Sequence, residues 1–284
     1  MITKLTYRMS TKGNIIVSFT TSPTRIHIIQ PMLQSIFNQT IKPDLFLINI
    51  PKVFHRTNQI YSIPEFIKNN QDITINVLEN DYGPASKLVG TISYLKNQTT
   101  FKKTNTTIIY LDDDVCYPPK MIESYVKARI NNNFIWTITG FNFVKLQIAF
   151  ETRHNTKVQI AEGYGSVCVP YSCFHDDFEH YIDKYTSSEQ LDCRLSDDMI
   201  FSNYFCKHNN IIKILNTTLH SKEYIWTNRC ILDYGNGIDA IHNGANGTSV
   251  NNFKRYRDVI SILNKNKERY FKLHFIQNGK LLIL

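Results

Sequence analysis

Three consecutive carboxylates, Asp112, Asp113 and Asp114, are the residues best suited by type and spacing to do chemistry. They follow the apolar run 108–111, which predicts a buried strand. At the end of such a strand three carboxylates repel one another, and a hard divalent cation relieves that repulsion. Mg²⁺ or Mn²⁺ would keep open positions there for the oxygens of a diphosphate. The alternative is a solvated turn that caps a helix beginning near Pro118.

A tight turn with a lysine follows another predicted strand. Residues 80–87 have the sequence Asn-Asp-Tyr-Gly-Pro-Ala-Ser-Lys. Within it, Gly83-Pro84 predicts a turn that also holds Asp81, and Lys87 falls on the first turn of the next helix. A lysine at that position can bind a phosphate together with the helix N-terminus. An exposed turn with a solvated lysine is the alternative.

Hydroxyl groups and one arginine follow the first predicted strand, in residues 18–25. This segment contains Thr20, Thr21, Pro23 and Arg25. Such side chains could hold a base and a ribose. N-capping of the next helix is the simpler interpretation, and the two are compatible because one segment can do both.

Two polar clusters in the second half of the chain are further candidates. Gly163 and Gly165, which follow Glu162, let the backbone approach a ligand closely. Asp197 and Asp198 stand at the predicted start of a helix. There they could cap the helix, or one of them could serve as a general base.

An imidazole stands in a Gly- and Asn-rich stretch nearer the C-terminus. His242, in the sequence Ile-His-Asn-Gly, suits contact with a metal or a phosphate. A lone histidine is more often a surface residue, and His220 is a competing ligand candidate. The sequence contains no G-x-S-x-G, H-E-x-x-H, Walker A or G-x-G-x-x-G motif.

Composition limits the class of protein. The 284 residues are 42% hydrophobic, 12% aromatic and 20% charged, which argues against intrinsic disorder. The net charge of +8 at pH 7 suits an anionic ligand, with solubility as the alternative. Because Lys and Arg are spread along the chain, we do not expect a nucleic-acid partner.

Targeting signals are not evident in the sequence. No run approaches the ~18 apolar residues that a membrane span needs, and residues 1–14 are polar with no signal core. The six cysteines show no Cys-x-x-Cys pair and no zinc spacing. We therefore expect reduced thiols in a cytoplasmic protein without a membrane span.

Strand and helix signals alternate in the first half of the chain. The predicted strands are 15–21, 44–50, 73–78 and 107–111, and the predicted helices are 25–39, 64–69 and 86–96. Apolar strands separated by helices predict a parallel sheet that is covered on both faces. Ligands bind such a sheet at the carboxyl ends of its strands, which is where the polar clusters stand.

The second half is less regular. Its predicted strands are 134–139 and 167–170, and its predicted helices are 197–207 and 251–265. No repeat and no linker divides the chain, so one domain is expected over residues 1–284. Within it we distinguish a first half (14–115), a second half (116–265) and a C-terminal tail (266–284).

Taken in order, these segments resemble GT-A-fold glycosyltransferases, most closely the family-2-like enzymes of bacteria and large DNA viruses. The matching motifs are T-T-S-P-x-R from Thr20, D-x-G-P-x-x-K from Asp81, L-D-D-D-V-x-Y-P-P from Leu111, E-G-x-G from Glu162, S-D-D from Ser196 and A-I-H ending at His242. The resemblance covers residues 14–265. It implies an α/β, Rossmann-like fold with a mostly parallel central sheet flanked by helices, and with a less regular acceptor-side half. The high Asn and Ile content suggests an AT-rich genome, which favours the viral enzymes over the bacterial ones as relatives.

The resemblance also implies a role for each candidate residue. Asp112 and Asp114 would form the metal-binding D-x-D, and His242 would complete the metal shell. The nucleotide would border Thr20, Thr21, Pro23, Arg25, Asp81, Lys87 and Asp113. The donor sugar and the acceptor would border Glu162, Gly163 and Gly165. Asp198 would be the catalytic base, with Asp197 in the place where the family has a glutamate.

The resemblance implies Mn²⁺- or Mg²⁺-dependent transfer of a sugar from a nucleoside diphosphate sugar. We expect this donor to be a UDP-sugar. The acceptor would be a hydroxyl group of a glycan or a protein. An aspartate base predicts inversion at the anomeric carbon, although a retaining enzyme needs no such base. Two alternatives are a nucleotidyltransferase on a related α/β sheet and a catalytically idle sugar-binding or scaffold protein. The first usually shows a Gly- and Arg-rich N-terminal signature, which this sequence lacks.

Overall fold

The computed structural model describes residues 13–130, 132–144, 147–151, 153–186, 191–215, 232, 252–272, 274–277 and 280–283. In the first half, strands alternate with helices, as the apolar periodicity predicts. Its elements are β1 (Asn14–Phe19), α1 (Gln30–Phe37), β2 (Leu45–Pro51), α2 (Glu65–Lys68), β3 (Thr74–Leu78), α3 (Ser86–Lys96), β4 (Thr106–Tyr110) and α4 (Met121–Ala128).

The second half has shorter elements. Its strands are β5 (Ile135–Thr137), β6 (Gly140–Val144), β7 (Gln147–Phe150), β8 (Lys157–Val158), β9 (Ile160–Ala161), β10 (Val167–Pro170), β11 (Ile212–Ile214), β12 (His274–Gln277) and β13 (Lys280–Ile283). Its helices are α5 (Phe178–Thr186), α6 (Leu191–Arg194), α7 (Asp197–Lys207) and α8 (Asn252–Lys265).

An eight-stranded sheet forms the centre, in the order β3-β2-β1-β4-β10-β5-β11-β8. Strand β1 pairs in parallel with β2 and β4, β2 with β3, and β5 with β11. Strand β10 runs antiparallel to β4 and β5, and β8 runs antiparallel to β11. The prediction of a mostly parallel central sheet is confirmed.

Helices cover both faces of this sheet. On one face, Ile16 of β1 belongs to the same buried cluster as Leu88 of α3. On the other face, Val17 belongs to a second buried cluster with Leu33 of α1. Successive side chains of a strand point to opposite faces, so a strand covered on both sides is apolar at nearly every position. This explains the apolar runs at 15–17 in β1 and at 108–110 in β4.

A second sheet has the order β13-β12-β6-β7, with β9 also paired to β6. Strand β6 runs antiparallel to β7 and β9, and His274 of β12 pairs in parallel with Val144. The segment treated above as a C-terminal tail therefore contributes two strands, β12 and β13. A sequence signal was present, because Asn278-Gly279 between two apolar runs is typical of a hairpin.

The helix predicted at 25–39 is interrupted. It begins as a 3₁₀ turn, Arg25–His27, and α1 starts only at Gln30. Pro31 lies in the first turn of α1, where its missing N–H group costs nothing. The proline therefore sets where the α-helix begins.

The strand predicted at 134–139 is also shorter. Strand β5 ends at Thr137, and the chain enters the second sheet at Gly140. A Cβ atom on Gly140 would lie 2.6 Å from the carbonyl oxygen of Ile160. The close approach of β9 thus requires glycine at the point where the chain changes sheets.

Within the described residues, no helix is long and apolar enough to cross a membrane. Cys168, Cys173, Cys193 and Cys206 are free thiols. Cys230 lies outside the described residues.

Candidate functional site

The carboxyl ends of β1 and β4 open into a cleft of about 180 Å³. Its lining includes the sequence-predicted residues Thr20, Thr21, Arg25, Asp81, Lys87, Asp112, Asp113, Asp114 and Asp197. Parallel strands end at the same edge of a sheet, so segments far apart in sequence converge there. The structure thus brings together the first-strand hydroxyls, the lysine turn and the three consecutive acids.

Six further candidates lie outside the cleft lining or outside the described residues. Glu162, Gly163 and Asp198 do not line the cleft, although Gly163 lies close to both Lys87 and Asp198. Pro23 does not line the cleft. Gly165 packs against Thr139, whose Oγ1 atom would lie 2.1 Å from an added Cβ. A packing role therefore accounts for Gly165 without any ligand. His242 and its competitor His220 both lie outside the described residues.

Arg25 and Thr21 hold two of the three acids. The Thr21 hydroxyl donates a hydrogen bond to Asp113 over 2.6 Å. One nitrogen of the Arg25 guanidinium lies 3.0 Å from Asp113 Oδ1 and 3.2 Å from Asp114 Oδ2. Burial, with the charges of Asp113 and Asp112, raises the pKa of Asp114 to about 7, although Arg25 opposes the rise. The three consecutive acids are therefore close enough to one another that a bound cation would stabilise them.

Lys87 is the second cation of the cleft and is only 2% exposed. Its Nζ atom contacts Asp112 Oδ1 and lies 3.0 Å from Asp197 Oδ2. Burial alone would lower the pKa of Lys87, but the charges of Asp112, Asp197 and Asp198 raise it more. Lys87 is therefore a fixed positive charge between the acids after β4 and those that begin α7.

A buried polar network fixes the start of α3 and with it the backbone of Lys87. The Ser18 hydroxyl donates to the Lys87 carbonyl oxygen over 2.5 Å, and Asn49 Nδ2 donates to Ser18 Oγ over 2.8 Å and to Thr91 Oγ1 over 3.0 Å. A Cβ atom on Gly90 would lie 2.4 Å from Asn49 Oδ1, so only glycine lets the helix approach this closely. Sequence reasoning missed this network, because polar residues within an apolar strand have no distinctive spacing.

Asp81 stabilises the wall of the cleft. Its carboxylate accepts backbone hydrogen bonds from Gly83 over 2.6 Å and from His55 over 2.7 Å, and it lies 3.1 Å from the guanidinium of Arg194. Gly83 has a φ of +61°, a conformation that favours glycine. The carboxylate joins the lysine turn, the segment after β2 and helix α6. Its predicted contact with base or ribose remains a prediction.

Gly163 lies between the acids that follow β4 and the acids that begin α7. Its N–H group donates to Asp198 Oδ1 over 2.8 Å. A Cβ atom added to Gly163 would lie 3.0 Å from Lys87 Nζ, 3.2 Å from Asp198 Oδ1 and 3.3 Å from Asp112 Oδ1. The glycine therefore leaves room for three charged groups around one point of the backbone.

Two carboxyl groups beside Gly163 favour their protonated forms. Burial raises the pKa of Asp198 well above its ordinary value, Asp197 adds to the rise, and Lys87 opposes it. Burial also raises the pKa of Glu162 to about 8. The Oε2 atom of Glu162 is buried and has no hydrogen-bond partner. Burial therefore disfavours the ionised form of both carboxyl groups, and a pKa of about 8 lets Glu162 keep its proton at neutral pH.

Four residues of the cleft were not predicted from the sequence, and one of them, Pro51, ends β2. Phe54, Arg56 and Tyr61 line the cleft from the segment that joins β2 to α2. Phe54 and Tyr61 meet edge to face at 6.2 Å, and the Arg56 guanidinium lies 5.8 Å from the Phe54 ring. No motif marks this segment, which is recognisable only from its position in the fold.

The carboxylates of the cleft are chemically suited to a hard divalent cation, because carboxylate oxygens are the ligands that Mg²⁺ and Mn²⁺ prefer. Asp112 and Asp114 both line the cleft. Among the residues that the structure describes, no three His, Cys, Asp or Glu side chains form a complete metal site. A metal bound by Asp112 and Asp114 would need further ligands, and a diphosphate could supply oxygens for it.

No protein-family model and no curated protein matches the sequence. Among solved structures, the chain is similar to S. aureus TarS residues 1–349 in complex with UDP, with 13% identity, a TM-score of 0.44, and coverage of 89% of this chain and 71% of that one. A second crystal structure of the same TarS segment gives 10% identity, a TM-score of 0.38, and coverage of 95% and 96%. Both likenesses are too distant to be evidence of function.

Proposed function

We propose that this chain is a metal-dependent glycosyltransferase that moves a sugar from a nucleoside diphosphate sugar to a hydroxyl group of a glycan or a protein. A UDP-sugar is the donor we expect. One observation carries the proposal, namely the alternation of charges in a single cleft at the carboxyl ends of parallel strands. The charged groups that line it are Arg25, Arg56, Asp81, Lys87, Asp112, Asp113, Asp114 and Asp197.

Two of the cations, Arg25 and Lys87, suit the leaving group of such a reaction. Negative charge develops on the diphosphate as its bond to the sugar breaks, and cations already in place stabilise it without reorganisation. Lys87 is held between Asp112 and Asp197, and Arg25 is held beside Asp113. Both would meet diphosphate oxygens from fixed positions.

We propose a bound metal ion because carboxylates gather in the same cleft. Asp112 and Asp114 would hold Mn²⁺ or Mg²⁺, with His242 as the further ligand that the resemblance implies. The bound ion would supply Lewis-acid stabilisation of the diphosphate oxygens.

Asp198 is the residue we assign as general base. Asp197 Oδ2 lies 3.0 Å from Lys87 Nζ, so this ion pair occupies the Asp197 carboxylate. Asp198 must be ionised to act as a base, and its raised pKa means that this ionised form binds a proton strongly. Its Oδ1 atom is held by Gly163, which leaves Oδ2 for the acceptor hydroxyl. The proton would pass to Asp198 as the hydroxyl oxygen attacks the anomeric carbon opposite the diphosphate, and the configuration would invert.

The test begins with a thermal-shift screen of nucleotide sugars in the presence of Mn²⁺, because a specific ligand raises the apparent stability. The donor that gives the largest shift is then incubated with candidate acceptors, and the products are analysed by ³¹P NMR. Release of nucleoside diphosphate supports a glycosyltransferase. Release of pyrophosphate would identify a nucleotidyltransferase, and tight binding without turnover would identify an idle binding protein.

A further inference from the structure

Tyr117 belongs to the motif of the three consecutive acids and has no part in the mechanism proposed above. It is only 2% exposed, and its hydroxyl lies against the main chain of Asp112. The Asp112 N–H group donates to the Tyr117 hydroxyl oxygen over 3.0 Å, and that oxygen lies 3.1 Å from the Asp112 carbonyl oxygen. The side chain of Tyr117 therefore closes the loop 112–117, which contains all three acids.

The same hydroxyl also reaches the loop that holds the proposed base. It lies 3.2 Å from the carbonyl oxygen of Tyr164. Tyr164 follows Gly163, whose N–H group donates to Asp198 Oδ1 over 2.8 Å. A hydroxyl has one hydrogen, so it donates to one of the two carbonyl groups at a time and stays between them. Tyr117 therefore joins the main chain of Asp112 to the loop on the side of Asp198.

Helix α1 fixes the backbone around Tyr117. The Tyr117 N–H group donates to Ser35 Oγ over 3.0 Å. The buried side chain of Gln39, which follows α1, donates to the Pro118 carbonyl oxygen over 2.7 Å and accepts from the Ile122 N–H group over 3.1 Å. The hydroxyl of Tyr117 therefore has a fixed position from which it can orient its partners.

The loop that Tyr117 reaches is itself held in one conformation. Ser166, which follows the 3₁₀ turn of this loop, has a φ of +73°, a value that residues other than glycine rarely adopt. Such conformations persist only where the surrounding contacts impose them. Here the Tyr125 hydroxyl donates to the Ser166 carbonyl oxygen over 2.8 Å. Because the loop is constrained in this way, the position of Tyr164 also sets the position of its neighbour Gly163.

We propose that Tyr117 is a positioning residue that fixes Asp112 and Asp198 relative to each other. The inference rests on the proposed function, in which Asp112 would bind the metal ion at the diphosphate and Asp198 would accept the proton from the attacking hydroxyl. Attack opposite the leaving group requires the two groups to be aligned, so a fixed separation of their holders favours the reaction. Removing a residue that orients a metal ligand typically costs about 10–100-fold in metal affinity or activity.

The test uses Tyr117→Phe, which removes the hydroxyl and keeps the ring. Tyr181→Phe is the matched control, because Tyr181 is 4% exposed and its hydroxyl accepts a hydrogen bond from Asn203 Nδ2 over 2.7 Å. Tyr181 lies on α5 and does not line the cleft. Each variant loses a buried hydrogen bond, and urea unfolding checks that both are folded.

Binding of UDP is measured first, because it needs no turnover. Tyr117→Phe releases the main chain of Asp112, so UDP binding in the presence of Mn²⁺ should weaken roughly tenfold in calorimetry. UDP binding in EDTA should be unchanged, and Tyr181→Phe should match the wild type in both conditions. Equal Mn²⁺-dependent affinities in wild type and Tyr117→Phe would overturn the proposal.

Transfer rates then test the link to Asp198. At saturating donor and Mn²⁺, Tyr117→Phe should lower kcat by about 10–100-fold and leave KM for the acceptor unchanged, while Tyr181→Phe keeps both. In the Asp198→Asn background, Tyr117→Phe should lower kcat by a smaller factor, because part of its effect acts through Asp198. An equal factor in both backgrounds would show independent action and would also overturn the proposal.

Failure of the proposed function gives a different set of results. Wild-type protein that binds UDP but turns over no donor would reject the transferase, and tenfold weaker binding by Tyr117→Phe would still support its hold on Asp112. Wild-type turnover that Tyr117→Phe matches would reject the role of Tyr117 and leave the transferase intact. No binding of UDP by the wild type would reject both.

Discussion

Glu162 provides a test of the site that needs neither donor nor acceptor. Burial raises its pKa to about 8 from an ordinary value of 4.5. Between these two values the folded protein keeps the proton and the unfolded chain has lost it. Folding then binds protons, so the free energy of unfolding falls as pH rises. The titration of this residue alone should lower the free energy of unfolding by roughly 3 kcal/mol between about pH 5.5 and pH 8.

The perturbation is Glu162→Gln, which removes the titration and keeps the shape. Urea unfolding of both proteins is followed at several pH values, without metal or nucleotide. Because a buried amide can change stability by a constant amount, the quantity of interest is the slope with pH. The difference in unfolding free energy between variant and wild type should grow in favour of the variant by about 1.4 kcal/mol per pH unit at most.

Glu79→Gln is the control, because the Glu79 side chain is 77% exposed and lies on the surface beside Lys52. The free energy of unfolding of that variant should change with pH as that of the wild type does. Parallel curves for wild type and Glu162→Gln would refute the reasoning, since Glu162 would then titrate alike in the folded and unfolded chains.

Three further predictions concern the chemistry and the scaffold. Asp198→Asn should lower kcat by about 10²–10⁴-fold with donor affinity unchanged, whereas Asp197→Asn should be milder; transfer rate and donor affinity are measured for both. Asp114→Asn should abolish metal-dependent binding of UDP while the fold persists, and calorimetry with and without EDTA decides this. Asn49→Ala should lower the unfolding free energy by about 1–3 kcal/mol, because it leaves buried partners unpaired, and urea unfolding measures the loss.

Much of the fold follows from apolar patterning. Both faces of β1 and β4 are buried, and each strand carries an apolar run, at 15–17 and at 108–110. This pattern correctly predicts a parallel sheet with helices on both sides. The same reasoning places Lys87 and the acids at 112–114 near one another, since strands that run in parallel present their carboxyl ends at one edge.

Other features depend on contacts that the sequence does not mark. Asp81 meets Arg194 across more than a hundred residues, and no local pattern links the two. Strands β8 and β9 have two residues each, too few to show a period of two. The aromatic wall of Phe54 and Tyr61 lies in a connecting segment, where side chains follow no helical or strand spacing.

Real-time NMR of the wild-type protein with its donor, Mn²⁺ and an acceptor oligosaccharide tests the central claim most directly. The account predicts that nucleoside diphosphate and glycosylated acceptor appear at equal rates, and that the new glycosidic bond has the anomeric configuration opposite to that of the donor. Pyrophosphate as the product, or no turnover by any donor that binds the protein, would contradict the proposed activity. A product with retained configuration would contradict the role assigned to Asp198.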